Sequence, residues 1–337
     1  MEHRQRRLTW GTFTYILTVI AFCVMMGLSI YFFMKAFYFD RDVKADAVPE
    51  PEYHFVLIPE EMNNDYWRLV EQGARDAAEK YGVSVEYTGP QQADLEEHIE
   101  SLEMAAAAKV DGILTQGLKK EEFTPLINKI TAKGIPVVTV DTDAPGSNRA
   151  AYVGTDNYYS GYLAGQELIE DTGGHAKVAI ITGRLDASHQ KLRVQGFKDA
   201  VAKAPGIEVV AVEESNITRI QAAEKTYKIL KEHPEVTAFF GTSALDGIGI
   251  ASVVKSMDRK GDLYILAFDT LPETLQLIRE GIINGTVVQR PYEMGYMSVK
   301  IMLDLLEGKT VEEQNFTETK VLNKENLSEN GIGVLGP

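Results

Sequence analysis

The residues of this 337-residue chain best suited to hold a small molecule follow short apolar runs. Asn64, Tyr66 and Trp67 come after the run 54–58, Gln116 closes 112–116, and Asp141 closes 136–141. Ser243 follows Gly241, Asp269 follows Phe268, and Gln289 follows Val288. Arg193 stands three residues before Gly196-Phe197. These residue types suit an uncharged polyhydroxylated ligand. Its C–H faces pack on aromatic rings, here Tyr66 and Trp67, and its hydroxyls need fixed donors and acceptors. Carboxylates and a guanidinium serve best, because charge-assisted hydrogen bonds are about twice as strong as neutral ones. A purely structural alternative keeps Trp67 in the core and Arg193 on a solvated helix face.

Other chemistries lack their residues. The loop after 54–58 reads Pro59-Glu-Glu-Met-Asn-Asn, without the glycine that lets backbone approach a pyrophosphate. Gly247-Ile-Gly249 is a fragment of that pattern with Ser252 where a third glycine belongs. There is no phosphate loop, no His-Glu-x-x-His helix and no Gly-x-Ser-x-Gly elbow. The six histidines, at 3, 54, 98, 175, 189 and 233, never fall at i, i+3 or i+4 spacing. The single cysteine, Cys23, lies in an apolar stretch, so no disulfide staples the rest. The expectation is a protein that is not an enzyme and uses no cofactor or metal.

The polar residues are positioned by alternating strands and helices. Strands are expected at 54–58, 83–87, 112–116, 136–141, 177–182, 207–212, 238–241 and 264–268. Helical periodicity marks 66–81, 95–108, 123–133, 190–202, 220–233, 247–257 and 272–280. This alternation predicts parallel α/β sheets with helices on both faces, divided between two lobes. In such sheets ligands bind outside the carboxyl ends of the strands, where the residues named above lie.

The formal charge is −15. The first 52 residues hold six basic and six acidic side chains, so the whole excess falls on 53–337. That surface repels polyanions, and a nucleic-acid partner is not expected. Between Arg7 and Lys35, 27 consecutive residues carry no charge, long enough to cross a bilayer as a helix. A cleaved signal would have a shorter apolar region and a small-residue cleavage site. Phe22 before Cys23 is too large for a lipoprotein signal. The expected organisation is a cytoplasmic 1–9, a transmembrane signal anchor at 10–34 and a linker at 35–52. The Arg4–Arg7 flank would stay inside and the acidic domain outside the cell.

From Tyr53 to about Val321 the sequence resembles the ribose-type periplasmic sugar-binding proteins, the type I solute-binding fold shared with effector domains of lactose-repressor-like regulators. The resemblance rests on Asn63-Asn64-x-Tyr66-Trp67 with Gly73, Gly134-Ile-Pro-Val-Val-Thr-Val-Asp141, and Gly154-Thr-Asp-Asn157 with Gly161 and Ala164-Gly165. It rests also on Arg193-x-x-Gly196-Phe197, Phe268-Asp269, and Gln289-Arg-Pro-Tyr292 with Gly295. It implies two doubly wound parallel-sheet lobes, 53–155 with 290–318 and 156–289 with 319–337. A three-strand hinge with crossings near Thr155, Arg290 and Thr319 would join them. It implies ligand contacts at Asn64, Tyr66, Trp67, Gln116, Asp141, Thr155, Arg193, Ile217, Ser243, Asp269 and Gln289. Gln116 and Ser243 replace asparagines of the ribose pattern, Thr142 replaces an arginine and Ile217 an aromatic ring. Another pentose, a hexose or a small polyol therefore fits better than ribose. A membrane-tethered member of this family implies a bacterial cell-surface sugar receptor. Its partner would be a membrane sensor histidine kinase, or alternatively the permease of an ABC-type importer. A repressor would need a DNA-binding segment where this chain has its apolar span.

Overall fold

The computed structural model describes residues 10–42 and 51–327, which belong to separate compact units. In the first, α1 (Trp10–Asp42) contains Phe13–Lys35, a helix long and apolar enough to cross a membrane. Its side chains from Phe13 to Met34, free Cys23 among them, are exposed around the whole circumference rather than forming one buried stripe. The helix continues through 35–42, where a linker was expected. Lys35-Ala-Phe-Tyr-Phe-Asp-Arg-Asp contains neither proline nor glycine, so nothing interrupts the i to i−4 ladder. The expected cytoplasmic residues 1–9, the rest of the linker at 43–50 and the tail 328–337 lie outside the described residues.

The second unit runs β1 (His54–Ile58), α2 (Asp65–Tyr81), β2 (Ser84–Tyr87), α3 (Leu95–Ala108), β3 (Gly112–Thr115), α4 (Lys120–Thr131), β4 (Val137–Val140) and β5 (Ala151–Gly154). It continues with α5 (Asn157–Asp171), β6 (His175–Thr182), α6 (Ser188–Val201), β7 (Gly206–Glu214), α7 (Arg219–Glu232), β8 (Ala238–Gly241) and α8 (Asp246–Ser256). It ends with β9 (Tyr264–Phe268), α9 (Pro272–Arg279), β10 (Gly285–Val288), α10 (Pro291–Leu306), β11 (Gln314–Phe316) and β12 (Lys320–Asn323). Two six-stranded sheets result, ordered β2-β1-β3-β4-β5-β11 and β7-β6-β8-β9-β10-β12. All pairings are parallel except β12 on β10, which is antiparallel. This is the type I periplasmic-binding-protein fold.

The central strands read as unbroken apolar runs because helices cover both sheet faces. Side chains alternate between those faces: Phe55 and Leu57 join one core cluster, Val56 and Ile58 another. The second sheet divides likewise, Ala179 and Ile181 against Val178 and Ile180. The chain passes between lobes three times. After β5 it enters α5, which packs on α6 and β12. After β10 it returns through α10, which packs on α2 and on β3, β4 and β5. Between β11 and β12 it crosses once more.

Helix α6 carries Arg193, and α5 can approach it closely only because both lack side chains at the contact. A Cβ at Gly161 would lie 1.9 Å from the Arg193 carbonyl oxygen, and one at Gly196 2.0 Å from that of Tyr158. This backbone-to-backbone seat fixes where the Arg193 side chain begins.

Candidate ligand-binding site

Each lobe ends a central strand in an aspartate held in the left-handed region, Asp141 after β4 with φ 66° and Asp269 after β9 with φ 67°. That conformation is uncommon for a residue with a side chain, though least so for Asp and Asn. The two lobes secure it in the same way. The Asp141 amide donates to Val153 O at 2.9 Å, and the Asp141 carbonyl accepts from Tyr152 Oη at 2.8 Å. The Asp269 amide donates to Val287 O at 2.8 Å, and the Asp269 carbonyl accepts from Thr286 Oγ1 at 2.7 Å. Holding the main chain in this bend places both carboxyl groups on one cavity of about 410 Å³ between the lobes.

Asn64, Tyr66, Trp67, Gln116, Asp141, Arg193, Ile217, Ser243, Asp269 and Gln289 line that cavity. Asp141 is braced: Oδ1 accepts from Tyr66 Oη at 2.6 Å, and Oδ2 accepts from Gln116 Nε2 at 3.1 Å and from Thr142 Oγ1 at 2.9 Å. Asp269 is more open. Its Oδ1 accepts from Gln289 Nε2 at 2.7 Å, and no described residue donates to Oδ2. Arg193 is only 3% exposed, so it is not on a solvated face. Its Nε donates to Asn157 Oδ1 at 2.8 Å, Nη1 to Thr242 O at 2.9 Å and Nη2 to Gln289 Oε1 at 2.9 Å. The guanidinium carbon sits 3.9 Å from the centre of the Phe268 ring, a cation–π contact.

Thr155 is the one expected contact absent from the lining. It stands at the first crossing, where its Oγ1 donates to Gln289 Oε1 at 2.7 Å beside the second. Gln289 therefore joins the crossings to Asp269 and Arg193, and Thr155 positions it from behind. Trp67 serves both alternatives: it packs in the first lobe's core and also borders the cavity, its ring edge-on to Tyr66 at 5.8 Å. Asn64 lines the cavity while its Oδ1 caps α2 by accepting from the Tyr66 amide at 2.9 Å.

Two features mark the cavity as built for polar contacts. Ser243 Oγ is buried and has no hydrogen-bond partner, which is costly for a hydroxyl unless something completes it. Asn216 and the β-branched Ile217 both take positive φ, 50° and 54°, at the cavity wall. Buried Asp246 holds these loops, accepting from Ser215 Oγ at 2.5 Å and from the Ser243 amide at 2.9 Å. Its carboxyl is pushed up to about 6 by burial, against the pull of those hydrogen bonds.

Sequence reasoning did not single out Glu60, Arg184, His189, Gln190 or Asp246 as ligand contacts or supports. The first four line the cavity. Glu60 and Arg184 were findable as residues just past strand ends. His189 lies on α6 and meets Thr142 across the lobes, Nδ1 to Oγ1 3.2 Å, and burial beside Arg193 and Arg184 lowers its ring to about 4, so it is neutral at pH 7. No histidine, cysteine or acidic cluster able to hold a metal occurs among the described residues.

The chain belongs to the periplasmic binding protein domain family, whose pattern it matches over residues 55–310. The solved structure of GanP, a glucose-galactose binding protein from Geobacillus stearothermophilus, is similar at 62% identity and TM-score 0.81, covering 82% of this chain and 99% of that one. XylFII in its complex with LytSN is similar at 39% identity and TM-score 0.77, covering 81% and 98%. Among curated relatives, the D-allose-binding periplasmic protein of Escherichia coli K12 is 25% identical over 83% of this chain and 93% of its own length. GanP and the D-allose-binding protein are both sugar-binding proteins.

Proposed function

We propose that this chain binds a neutral monosaccharide, a hexose of the glucose or galactose kind, in the cavity between its lobes. The observation that carries the reading is the paired left-handed aspartates with Arg193 between strand ends, an open Asp269 oxygen and the unpartnered Ser243 hydroxyl. The 62% identity to a glucose-galactose binding protein supports the hexose. Closure follows from the geometry: only when the lobes are together do Asp141 of one and Asp269 and Arg193 of the other touch the same sugar.

In this reading α1 anchors the protein in a bacterial cell membrane with the sugar-binding domain outside, and occupancy is reported to a membrane sensor histidine kinase. The relative solved in complex with LytSN supports a dedicated protein partner. The second reading, a component of an ABC-type importer, is favoured by an ABC transporter solute binding protein from Burkholderia graminis solved with D-arabinose, 30% identical. Cross-linking in the native membrane separates them: recovery of a histidine kinase supports sensing, and recovery of a permease supports import.

The full-length protein in detergent should melt higher with D-glucose or D-galactose. A ligand at 100 times its Kd adds about 2.7 kcal/mol to the native state. A panel of monosaccharides and polyols that leaves Tm unmoved would overturn the sugar reading.

Binding should also weaken in acid. Burial pushes the Asp269 carboxyl up to about 6, opposed by Arg193 and Gln289 and reinforced by Asp141. Below its ordinary value near 3.8 the group is protonated folded or unfolded. Stability falls as pH rises between there and 6, because the folded state keeps a proton the unfolded chain has lost. Sugar hydroxyls donate to the ionised form, so affinity should fall about ten-fold per unit below pH 6. Asp246 titrates in the same range, so the Asp246→Asn variant is the control: its binding should keep most of that slope.

A further inference from the structure

We propose that the Glu60–Arg184 ion pair is a specificity-determining element that takes the exocyclic hydroxymethyl group of a hexose, an inference that rests on the sugar-binding reading above. Glu60 follows β1 in one lobe and Arg184 follows β6 in the other, with Arg184 Nη2 2.7 Å from Glu60 Oε1. Both line the same cavity as Asp141 and Asp269. The pair therefore forms only when the lobes are closed, and a group held against it is read in the closed state.

A second cross-lobe pair shows what a plain latch looks like. Lys119 Nζ lies 3.2 Å from Asp186 Oδ2, with both side chains at least 34% exposed. It ties the same loop, two residues beyond Arg184, to the opposite lobe. The order of charges, Arg184 to an acid and Asp186 to a base, fixes one docking register. Glu60 and Arg184 are more enclosed, at 13% and 25% side-chain exposure. Burial raises the Glu60 carboxyl above its ordinary range, outweighing the neighbouring guanidinium. A half-buried pair carries a desolvation cost that surface attraction alone does not offset. A ligand hydroxyl would offset it: Arg184 Nε and Nη1 reach no described acceptor, so the pair offers a donor and an acceptor side by side to a group that needs both.

The hydroxymethyl is the group that fits this place. Asp141, Asp269, Gln289 and Ser243 are each under 8% exposed and line the deeper part of the cavity, suited to hydroxyls borne directly on a sugar ring. A hexopyranose adds one hydroxyl on an extra carbon that projects beyond the ring, and with the ring held by the more buried residues the Glu60–Arg184 pair is the less buried polar site left on the cavity to receive it.

The test is calorimetry on the full-length protein and its Glu60→Gln, Arg184→Met and charge-swapped Glu60→Arg/Arg184→Glu variants. The sugars are D-glucose with D-xylose and D-galactose with L-arabinose, each pair differing by the CH2OH group alone. The ratio of hexose to pentose affinity should fall about ten-fold or more in each single variant, the scale of one lost charge-assisted hydrogen bond. The swapped pair should not restore it, although attraction between the lobes returns. Equal weakening of both sugars in each pair, or recovery of the ratio on swapping, would reduce the pair to a latch and overturn the proposal alone. A wild-type protein that binds none of the four would overturn the sugar reading as well. Unliganded melting temperatures report folding, and near-isosteric Glu60→Gln carries the test if Arg184→Met does not fold.

Discussion

Replacing Asp269 by Asn is expected to remove sugar binding and to raise the melting temperature of the unliganded protein. The side chain keeps its shape, Asn tolerates the left-handed conformation, and Gln289 Nε2 can still donate to the remaining carbonyl oxygen. What changes is the open oxygen, which becomes a donor facing sugar hydroxyls that need an acceptor. A hydrogen bond to a charged group is worth about 1.5–3 kcal/mol, so losing two lowers affinity by about 10² to 10⁴. In the empty protein the same carboxylate is a burden. Holding it ionised when its pKa has been raised from 3.8 to about 6 costs about 3 kcal/mol at neutral pH. Removing that cost should raise Tm by several degrees. Calorimetry and thermal melting read the two effects separately, and a variant that binds sugar normally or melts lower would contradict this account of Asp269.

Arg193→Ala should also abolish binding, with the opposite effect on stability. The guanidinium satisfies Asn157 Oδ1, Thr242 O and Gln289 Oε1 and rests on Phe268. Its loss leaves the buried Asn157 Oδ1 and Thr242 O without their donor, at about 1–3 kcal/mol each, while Gln289 Oε1 keeps only Thr155 Oγ1, and it opens a cavity beneath the strand ends. It also removes the cation that favours ionised Asp269, so that carboxyl shifts further upward. A drop in Tm of about 10 °C or more is the expected result. If the variant melts like the wild type, Arg193 is not the strut that its hydrogen bonds describe.

The contrast between these variants explains what was legible in the sequence. Asp141, Asp269 and Gln289 could be found because buried parallel strands are apolar runs, and the first polar residue after such a run faces the crevice. Thr155 comes from the family resemblance instead, and it follows β5 without lining the cavity. That strand leads into a crossing, and only the packed structure shows its hydroxyl meeting Gln289 instead of the cavity. Glu60 and Arg184 stand just past strand ends, but their pairing, like that of Thr142 with His189, was hidden because each joins residues more than 45 positions apart across the cleft. Asp246 resembles any acidic residue opening a helix until its burial and its grip on Ser215 and Ser243 are seen. The edge strands β11 and β12 have three and four residues and no apolar period. They exist because β5 and β10 present free edges for the returning chain. Helix α1 outran its expected end because charge marks a membrane boundary without breaking a helix.

The most direct test is calorimetric titration of the full-length protein with D-glucose and D-galactose, beside its Asp269→Asn variant. Saturable one-to-one binding of at least one sugar to the wild type, lost in the variant while the variant melts no lower, is the predicted result. Equal binding by both proteins would contradict the account, because the sugar would then sit somewhere other than between the paired aspartates.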